Sequence, residues 1–218
     1  MKIKYIFLTS IAVCFFWGTF YAQKLSKESK LIGNWEFINQ YNGRGLMMKL
    51  KPDHSVIIQM VLADDYTYKI EGKKIITKLE KGSAGKVIID TSYFELNKNN
   101  LIMTSHQNGK IDKKIMKRIP VSKYNSKNIV GLYTWKYPNG HIALSEFTKD
   151  GYWKIRLPME NIKGKFSVKD SIIIFNYTSP KTYTEQEKYK FEDKTLVLTR
   201  MKTGKKEFYK KVKYFLGK

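Results

Sequence analysis

The sequence predicts an all-β protein made of two tandem antiparallel up-and-down meanders, each barrel-like with about eight strands, behind an N-terminal signal segment. Three observations predict this fold. Short runs rich in aromatic and β-branched residues favour strands, and the 218 residues include 15 Tyr and 12 Phe. Asn-Gly and Asp-Gly pairs, which favour hairpin turns, separate those runs. The runs and turns occur twice in the same order, and beyond the signal segment no helical period exceeds about two turns.

The N-terminal segment has the pattern of a secretory signal peptide. Two lysines precede a charge-free apolar stretch that closes at Tyr21-Ala22-Gln23. Cleavage after the alanine is predicted, with a signal peptide over residues 1–22, a tail over 23–30, and a secreted or periplasmic protein without a transmembrane span. Two alternatives stay open: a lipid anchor through Cys14, or an uncleaved anchor, because the apolar run nearly reaches the length of a membrane span.

Cysteine usage limits the chemistry of the mature chain. The one cysteine of the sequence lies inside the predicted signal segment. Cleavage would leave a chain without thiols, which excludes disulfides, cysteine-ligated zinc and thiol nucleophiles. Stability therefore has to come from packed cores, and about 196 mature residues suffice for one or two of them.

The chain is strongly basic, with 41 Lys and Arg against 19 Asp and Glu and a net charge of +22. A field of this sign favours an anionic surface or a polyanion as partner. A basic surface that only keeps the protein soluble accounts for the charge equally well. Lysine predominates, and the four arginines are Arg44, Arg118, Arg156 and Arg200. Because arginine forks dominate specific phosphate recognition, nucleic acid is not an expected partner.

An internal repeat divides the chain into two halves. Leu31-Ile32-Gly33-Asn34-Trp35 matches Ile129-Val130-Gly131-Leu132-Tyr133, and five further matches follow in the same order. A period of about 98 residues indicates two duplicated domains, since solenoid repeats usually run about 20–50 residues. We therefore predict β domains over residues 31–120 and 129–218, joined by a linker over 121–128.

Each half is predicted to contain about eight strands between turn signals. Closure into a barrel is the natural arrangement for such a meander, because it removes exposed strand edges. At that size the interior is either filled by side chains or holds one small ligand. The strands are expected near 33–41, 45–51, 55–62, 66–70, 74–80, 86–96, 100–106 and 110–119, and then near 131–137, 141–148, 151–157, 163–168, 171–178, 182–191, 195–201 and 205–214.

Gly33-Asn34-Trp35 at the head of the first strand, followed by the eight-strand meander, resembles the lipocalin-like (calycin-type) small β-barrels. The resemblance implies that Trp35 closes one end of a barrel beneath a basic residue of the last strand, and Arg118 stands where that partner is expected. A guanidinium over an indole ring contributes about 0.5–2 kcal/mol. The second half departs from the pattern with Gly131-Leu132-Tyr133 and with Lys210 or Lys211 in place of the arginine. Neither half contains the Thr-Asp-Tyr motif of the family.

The resemblance implies an exported, non-enzymatic binding protein for a small apolar or amphipathic ligand or a lipid. Aromatic and methionine side chains on the strands of the first half are the expected lining of its pocket, although ordinary core packing explains them as well. The alternative function is a basic surface or protein–protein interaction module, with filled barrels, that contacts an anionic partner. The candidate ligand-binding residues are Trp35, Phe37, Met48, Tyr68, Phe94 and Met103.

The sequence predicts no enzyme, no catalytic residue, no cofactor and no metal. His54, His106 and His141 lie at strand ends and share no spacing typical of zinc ligands. Asp64 and Asp65 are adjacent carboxylates, but neighbours on a strand point to opposite faces, so they are not expected to converge on one site. One hypothesis stays open, namely an active site whose catalytic groups come from distant strands.

Overall fold

Fourteen antiparallel strands make up the computed structural model of this protein, which describes residues 28–39, 43–79, 87–97, 99–107, 109–120, 128–137 and 140–216. The predicted signal peptide with Cys14, all but the end of the predicted tail, and the linker up to residue 127 lie outside the described residues.

The strands follow one another up and down in a ring in which β1 lies beside β14. This order confirms the predicted all-β, antiparallel up-and-down fold. A helical turn over residues 28–31 precedes the first strand. The strands are β1 Gly33–Ile38, β2 Arg44–Leu50, β3 Ser55–Glu71, β4 Lys74–Leu79, β5 Ile88–Leu96, β6 Asn100–Gln107, β7 Lys110–Arg118, β8 Gly131–Lys136, β9 Ile142–Phe147, β10 Tyr152–Lys169, β11 Ile172–Ser179, β12 Tyr183–Glu192, β13 Thr195–Arg200 and β14 Lys206–Val212.

The strand count is lower than predicted because the third and fourth strands expected in each half form one long strand. β3 has 17 residues and β10 has 18. The predicted interruptions fall at residues 63–65 and 158–162, and neither stretch contains a glycine or a turn pair that would reverse the chain. Pro158 has a backbone angle compatible with an extended chain, so it does not end β10.

The described residues form two compact units, and each takes segments from both halves of the sequence. Among the described residues, unit 1 is drawn from residues 28–35, 48–57 and 163–213, and unit 2 from those within 36–47, 58–162 and 214–216. The predicted contiguous domains over 31–120 and 129–218 therefore do not coincide with the folded units. The difference arises because β3 and β10 continue where the sequence predicted a turn, so each long strand contributes residues to both units.

A direct pairing of β3 with β10 closes the strand order within each unit. In unit 1 the Phe166 amide donates to the carbonyl of His54 at 2.8 Å, which joins β10–β14 to β1–β3. In unit 2 the Tyr68 amide donates to the carbonyl of Gly151 at 2.7 Å, which closes the run from β3 to β10. Each closed run passes through eight strands, so neither depends on an exposed edge at this point.

Each unit has its own apolar interior. The core of unit 2 includes Ile75, Leu101, Met116 and Phe147, which are buried on β4, β6, β7 and β9. Inside unit 1, Ile173, Phe175, Leu196 and Leu198 are buried on β11 and β13, and the Trp35 ring lies 6.0 Å from that of Phe191. These residues occupy alternate positions of their strands, as a half-buried antiparallel sheet requires.

A buried ion cluster on β10 stabilises unit 2. Arg156 is 2% exposed, and its Nε and Nη2 donate to the two carboxylate oxygens of Glu36 at 2.6 and 3.2 Å. Its Nη1 donates to Asp65 and, at 2.9 Å, to the carbonyl of Ile155. The opposite orientation predicted for Asp64 and Asp65 is confirmed, since Asp64 lines an interior cavity while Asp65 pairs with the arginine.

Replacing Arg156 with Met should lower the free energy of unfolding by about 3 kcal/mol, because Glu36 would keep a charge that is largely removed from water without a partner. Urea denaturation at pH 7 measures this change. The exposed arginine of β2 gives the control Arg44→Met, for which we expect a loss below about 0.5 kcal/mol. Equal effects of the two substitutions would contradict the assignment.

Cutting the chain between residues 120 and 128 should leave the two pieces associated, because each unit contains strands from both sides of the cut. A protease recognition sequence introduced over residues 121–127 allows the cut to be made in the folded full-length chain. In buffer the cut chain should elute from gel filtration at the volume of the uncut chain, and mass spectrometry of that peak should find both pieces. Separation of the pieces in buffer would show instead that each half folds by itself.

Candidate ligand-binding cavity

The interior of unit 2 contains a cavity of about 270 Å³. Strands β3 to β8 and β10 all contribute side chains to its wall. The lining residues combine aromatic rings, aspartates, hydroxyls and one lysine, and they are Asp64, Tyr66, Thr77, Ile88, Asp90, Ser92, Met103, Ser105, Asp112, Lys114, Trp135, Tyr137, Trp153 and Ile155.

The inward face of these strands changes from apolar to polar along the unit. On β4 the buried Ile75 belongs to the core and the buried Thr77 to the cavity. On β6 the same change runs from Leu101 through Met103 to Ser105. Because neighbouring strands are antiparallel, the polar ends of successive strands meet at one end of the interior. The cavity therefore has an apolar floor and a polar upper wall.

Two strands carry most of their polar cavity residues inward and three isoleucines outward, namely Ile89, Ile111 and Ile115. On β7, Ile111 and Ile115 are 68% and 56% exposed, whereas the alternate residues Asp112 and Lys114 line the cavity. β5 behaves in the same way, with Ile89 66% exposed beside the cavity residue Asp90. This inversion is unfavourable for simple core packing. It supplies the interior with charged and hydroxyl groups that a filled apolar barrel would lack.

Two aromatic pairs form another part of the wall. The rings of Trp135 and Tyr137 lie 4.1 Å apart, and those of Tyr66 and Trp153 lie 5.0 Å apart. The Trp135 Nε1 donates to the Ser145 hydroxyl at 3.0 Å, which holds the indole in place. Trp153 is 4% exposed, and its Nε1 has no hydrogen-bond partner among the described residues. A buried donor of this kind favours an acceptor supplied from outside the chain.

Lys114 places a positive charge against the aromatic wall. Its ammonium lies 4.4 Å from the Trp135 ring centroid and 5.5 Å from that of Trp153, within the range of a cation–π contact. Burial lowers the pKa of Lys114, and the charges of Asp112 and Asp90 act in the opposite direction. The cavity thus holds an ammonium that is partly removed from water and partly compensated by carboxylates.

The two tyrosines of the wall remain neutral hydrogen-bonding groups at physiological pH. Burial raises the pKa of Tyr66 to about 12, and the nearby charge of Asp64 adds to the effect. Burial followed by Asp64 likewise raises the pKa of Tyr137. Both phenols keep their protons, so each offers a polar tip and an apolar face to the same space.

The cation over Trp35 is Lys211 and not Arg118, the partner that the family resemblance implied. Within unit 1 the Lys211 ammonium lies 5.3 Å from the Trp35 ring centroid, and the Trp35 Nε1 donates to the carbonyl of Leu31 at 2.7 Å. Arg118 belongs to unit 2, where its guanidinium lies 4.8 Å from the ring centroid of Tyr133. The physical reason is that each unit takes its first and last strands from different halves of the chain.

The Tyr133 end of unit 2 repeats the local geometry of the Trp35 end of unit 1. The Tyr133 hydroxyl donates to the Ile129 carbonyl, four residues back, at 2.8 Å. A Cβ on Gly131 would lie 2.7 Å from Arg118 Nη1, and a Cβ on Gly33 would lie 2.8 Å from Lys211 Cε. In both units the glycine therefore leaves room for the cation that covers the aromatic ring.

The six residues predicted to bind ligand do not form one site. Met103 lines the cavity, while Tyr68 and Phe94 pack against the core beneath it. Trp35 and Met48 are buried in unit 1. The sixth residue, Phe37, belongs to unit 2 and does not line the cavity.

The polar lining of the cavity was not predicted, because only apolar and aromatic residues were considered as pocket candidates. The sequence did contain a signal, namely that the polar residues of two strands alternate in step with apolar residues of the same strands and so share their face. On β5, Asp90 and Ser92 share their face with Phe94, and on β7, Asp112 and Lys114 share theirs with Met116. A face that carries apolar residues at one end and charges at the other is typical of an interior that opens into a polar cavity.

Unit 1 carries a buried acidic cluster of its own. Glu187 is 5% exposed, and its Oε1 lies 3.7 Å from Arg200 Nε, while its Oε2 accepts no hydrogen bond from the described residues. Glu207 is also buried and accepts hydrogen bonds at 2.9 Å from Lys205 and from the Tyr209 hydroxyl. Burial raises the pKa of Glu187 to about 7, with Glu185 adding to the effect and Arg200 opposing it.

A groove of about 650 Å³ also lies in unit 1, between the start of β12 and the end of β13. Its lining, residues 183–186 and 200–203, consists mainly of exposed side chains, with Glu185 and Arg200 half-buried. The groove is therefore a surface feature, and the cavity of unit 2 is the better enclosed site for a small molecule.

The comparisons with known proteins leave the family of this chain open. No protein-family model, no curated protein and no solved structure matches the chain. Across the described residues, no group of three or more His, Cys, Asp or Glu side chains has the arrangement of a metal site. The same part of the chain has no helix with the length and apolar character needed to span a bilayer.

The stability of unit 1 should depend on the charge of Glu187. Its pKa in the folded state, about 7, exceeds the ordinary value of 4.5, so the folded protein binds more protons between these two pH values and becomes less stable as pH rises. At 1.36 kcal/mol for each pH unit between the two values, the loss is about 3 kcal/mol by pH 8. Glu187→Gln should remove most of this loss in chemical denaturation measured from pH 5 to pH 8.

The exposed carboxylate of Glu192 on the same strand provides the control for that titration. Glu192→Gln should leave the pH dependence of the wild-type protein unchanged. A Glu187→Gln curve parallel to the wild-type curve would contradict the assignment to Glu187.

Proposed function

We propose that this protein binds a small amphipathic molecule in the cavity of unit 2 and does so without catalysis. The observation that carries the proposal is the inversion of β5 and β7, which turns Asp90, Asp112 and Lys114 inward and leaves isoleucines in solvent. Exposing isoleucines while charged side chains line the interior gives up apolar burial, so a binding role accounts for the inversion better than core packing does.

The size of the cavity limits the ligand. At about 30 Å³ of liquid volume for each water, 270 Å³ corresponds to roughly nine water molecules. A molecule of about ten non-hydrogen atoms fits this space, whereas a long acyl chain does not. The small amphipathic ligand expected from the sequence is therefore favoured over the lipid.

The composition of the wall favours binding over catalysis. Aromatic faces and carboxylates on three separate strands offer stacking, charge and hydrogen bonds to a bound molecule. Asp64, Asp90 and Asp112 reach the cavity from three strands, and no histidine belongs to its lining. A general base held against an activated nucleophile, the usual sign of hydrolytic or transfer chemistry, has no counterpart among the lining residues that the structure describes.

We also propose that the chain is an exported, lipocalin-like protein formed by duplication of one β unit. The matching ends of the two units support duplication, since Trp35 and Tyr133 each donate to the carbonyl four residues back and lie beneath a cation of the neighbouring strand in the sheet. Closure of each unit by β3–β10 pairing supports the comparison with small barrels. Export is proposed from the sequence pattern of residues 1–22 alone.

The alternative function is contact between the basic exterior and an anionic partner. The specific observation in its favour is the outer face of β14, where Lys206, Phe208 and Lys210 are exposed on alternate positions. Such contact would weaken steeply with salt. Its affinity would also be unaffected by substitutions inside the cavity of unit 2, and this distinguishes it from the binding function.

Titration with 2-phenylethanol, a neutral amphipathic probe of suitable size, tests the proposed cavity. Binding should change the fluorescence of Trp135 and Trp153, and the probe should be recovered chemically unchanged. Ser92→Leu fills the cavity from a buried position on β5, and we expect at least tenfold weaker binding.

The adjacent Thr91 is exposed, so Thr91→Leu provides the matched control and should bind as the wild type does. Thermal melting of both variants checks that the fold is retained. Two charged molecules of the same size, phenethylamine and phenylacetate, extend the test. If neither they nor 2-phenylethanol bind, and native mass spectrometry of the purified protein finds no bound molecule, unit 2 has no binding role.

A further inference from the structure

The cavity of unit 2 is acidic although the protein as a whole is strongly basic. The chain carries 41 Lys and Arg against 19 Asp and Glu. The cavity wall reverses this balance with three aspartates and one lysine. Asp64, Asp90 and Asp112 stand on β3, β5 and β7, so negative charge reaches the space from three strands. Low-dielectric walls focus such a field, which favours a positively charged occupant.

The aromatic wall favours the same kind of occupant. Indole and phenol rings present negative faces, and two such pairs, Trp135 with Tyr137 and Tyr66 with Trp153, bound the cavity. Aromatic rings combined with carboxylates are the usual environment for organic ammonium groups. A site selective for carboxylates or phosphates would instead offer several cationic donors, and this one offers a single lysine.

Lys114 indicates where the charge of a ligand would lie. Its ammonium already stands 4.4 Å from the Trp135 ring centroid, so the wall accommodates a cation in this place. Burial lowers the pKa of Lys114, so desolvation acts against the charged form of this side chain at the ring.

We propose that the ligand of unit 2 is a small organic cation, an amine or quaternary ammonium with an apolar body, whose charged end replaces the Lys114 ammonium at the Trp135 ring. The proposal rests on the proposed binding function of unit 2. The apolar body lies towards the Leu101 and Met116 floor, and Asp90 and Asp112 compensate the charge. The unpartnered Trp153 Nε1 favours a ligand that also carries a hydroxyl or carbonyl oxygen.

A charge series on one phenyl frame tests this inference with the full-length protein. Phenethylamine, 2-phenylethanol and phenylacetate differ chiefly in carrying a positive, a neutral and a negative end. Isothermal titration calorimetry should give about tenfold tighter binding for the amine than for the alcohol, the scale of one partly buried charge interaction. Phenylacetate should bind more weakly than both.

Two substitutions assign the selectivity to particular side chains. Asp90→Asn should weaken phenethylamine binding about tenfold and leave 2-phenylethanol within about twofold, because only the amine uses the carboxylate charge. Lys114→Met should tighten the amine at least about threefold, because a competing ammonium is removed while the apolar stem volume is kept. The matched controls are Glu95→Gln and Lys113→Met, exposed neighbours on the outer faces of β5 and β7, and both should bind as the wild type does.

The series also separates this inference from the proposed function. Tighter binding of phenylacetate than of phenethylamine, with that preference lost in Lys114→Met, would make the lysine a ligand partner and overturn the inference while preserving the binding function. Amine binding that is insensitive to both Asp90→Asn and Lys114→Met would overturn it as well. Absence of binding by all three probes would overturn the inference, and the absence of any bound molecule in native mass spectrometry of the purified protein would then overturn the proposed function as well.

Discussion

The partition of this protein depends on two uninterrupted strands. β3 and β10 each continue through the stretch, residues 63–65 and 158–162, where a hairpin would have kept every strand of a repeat in one unit. Because the backbone continues, the strands before and after that point belong to different units. The β3–β10 pairings at His54–Phe166 and at Tyr68–Gly151 then close a strand order in each unit. The exchanged partners of Trp35 and Tyr133 follow directly from this arrangement.

Charge is buried in both units, but under different conditions. In unit 2, Arg156 is buried with two carboxylates and a carbonyl as partners, so its charge is compensated and the cluster holds β10 in place. In unit 1, Glu187 is nearly as buried and meets its arginine only at 3.7 Å. The unfavourable desolvation is left largely uncompensated there, which raises the pKa of the glutamate. Whether a buried charge stabilises the fold therefore depends on the distance and orientation of its partner, and not on burial alone.

The cavity follows from the inversion of polarity on β5 and β7. A sheet face that turns isoleucines outward and aspartates inward loses hydrophobic stabilisation on both sides. The apolar floor around Leu101, Met116 and Phe147 offsets this loss at the other end of the interior. Packing at one end thus allows the other end to remain polar and open, and the aromatic pairs bring apolar surface back beside the carboxylates. The resulting wall is amphipathic, which is the property that the proposed ligand has to match.

The sequence by itself determined the strand class, most strand positions and the turns, because alternation and positive-φ turn residues are local properties. It also identified Trp35 and Tyr133 as equivalent positions and predicted that Asp64 and Asp65 diverge. Only the tertiary structure decided that 63–65 and 158–162 remain extended, that Lys211 rather than Arg118 covers Trp35, and that Asp90, Asp112 and Lys114 face inward. The first two outcomes depend on which distant strands pair, and that pairing leaves no local signal in the chain. Alternation groups the three charged residues with Phe94 and Met116, but only packing shows that this face is the inner one.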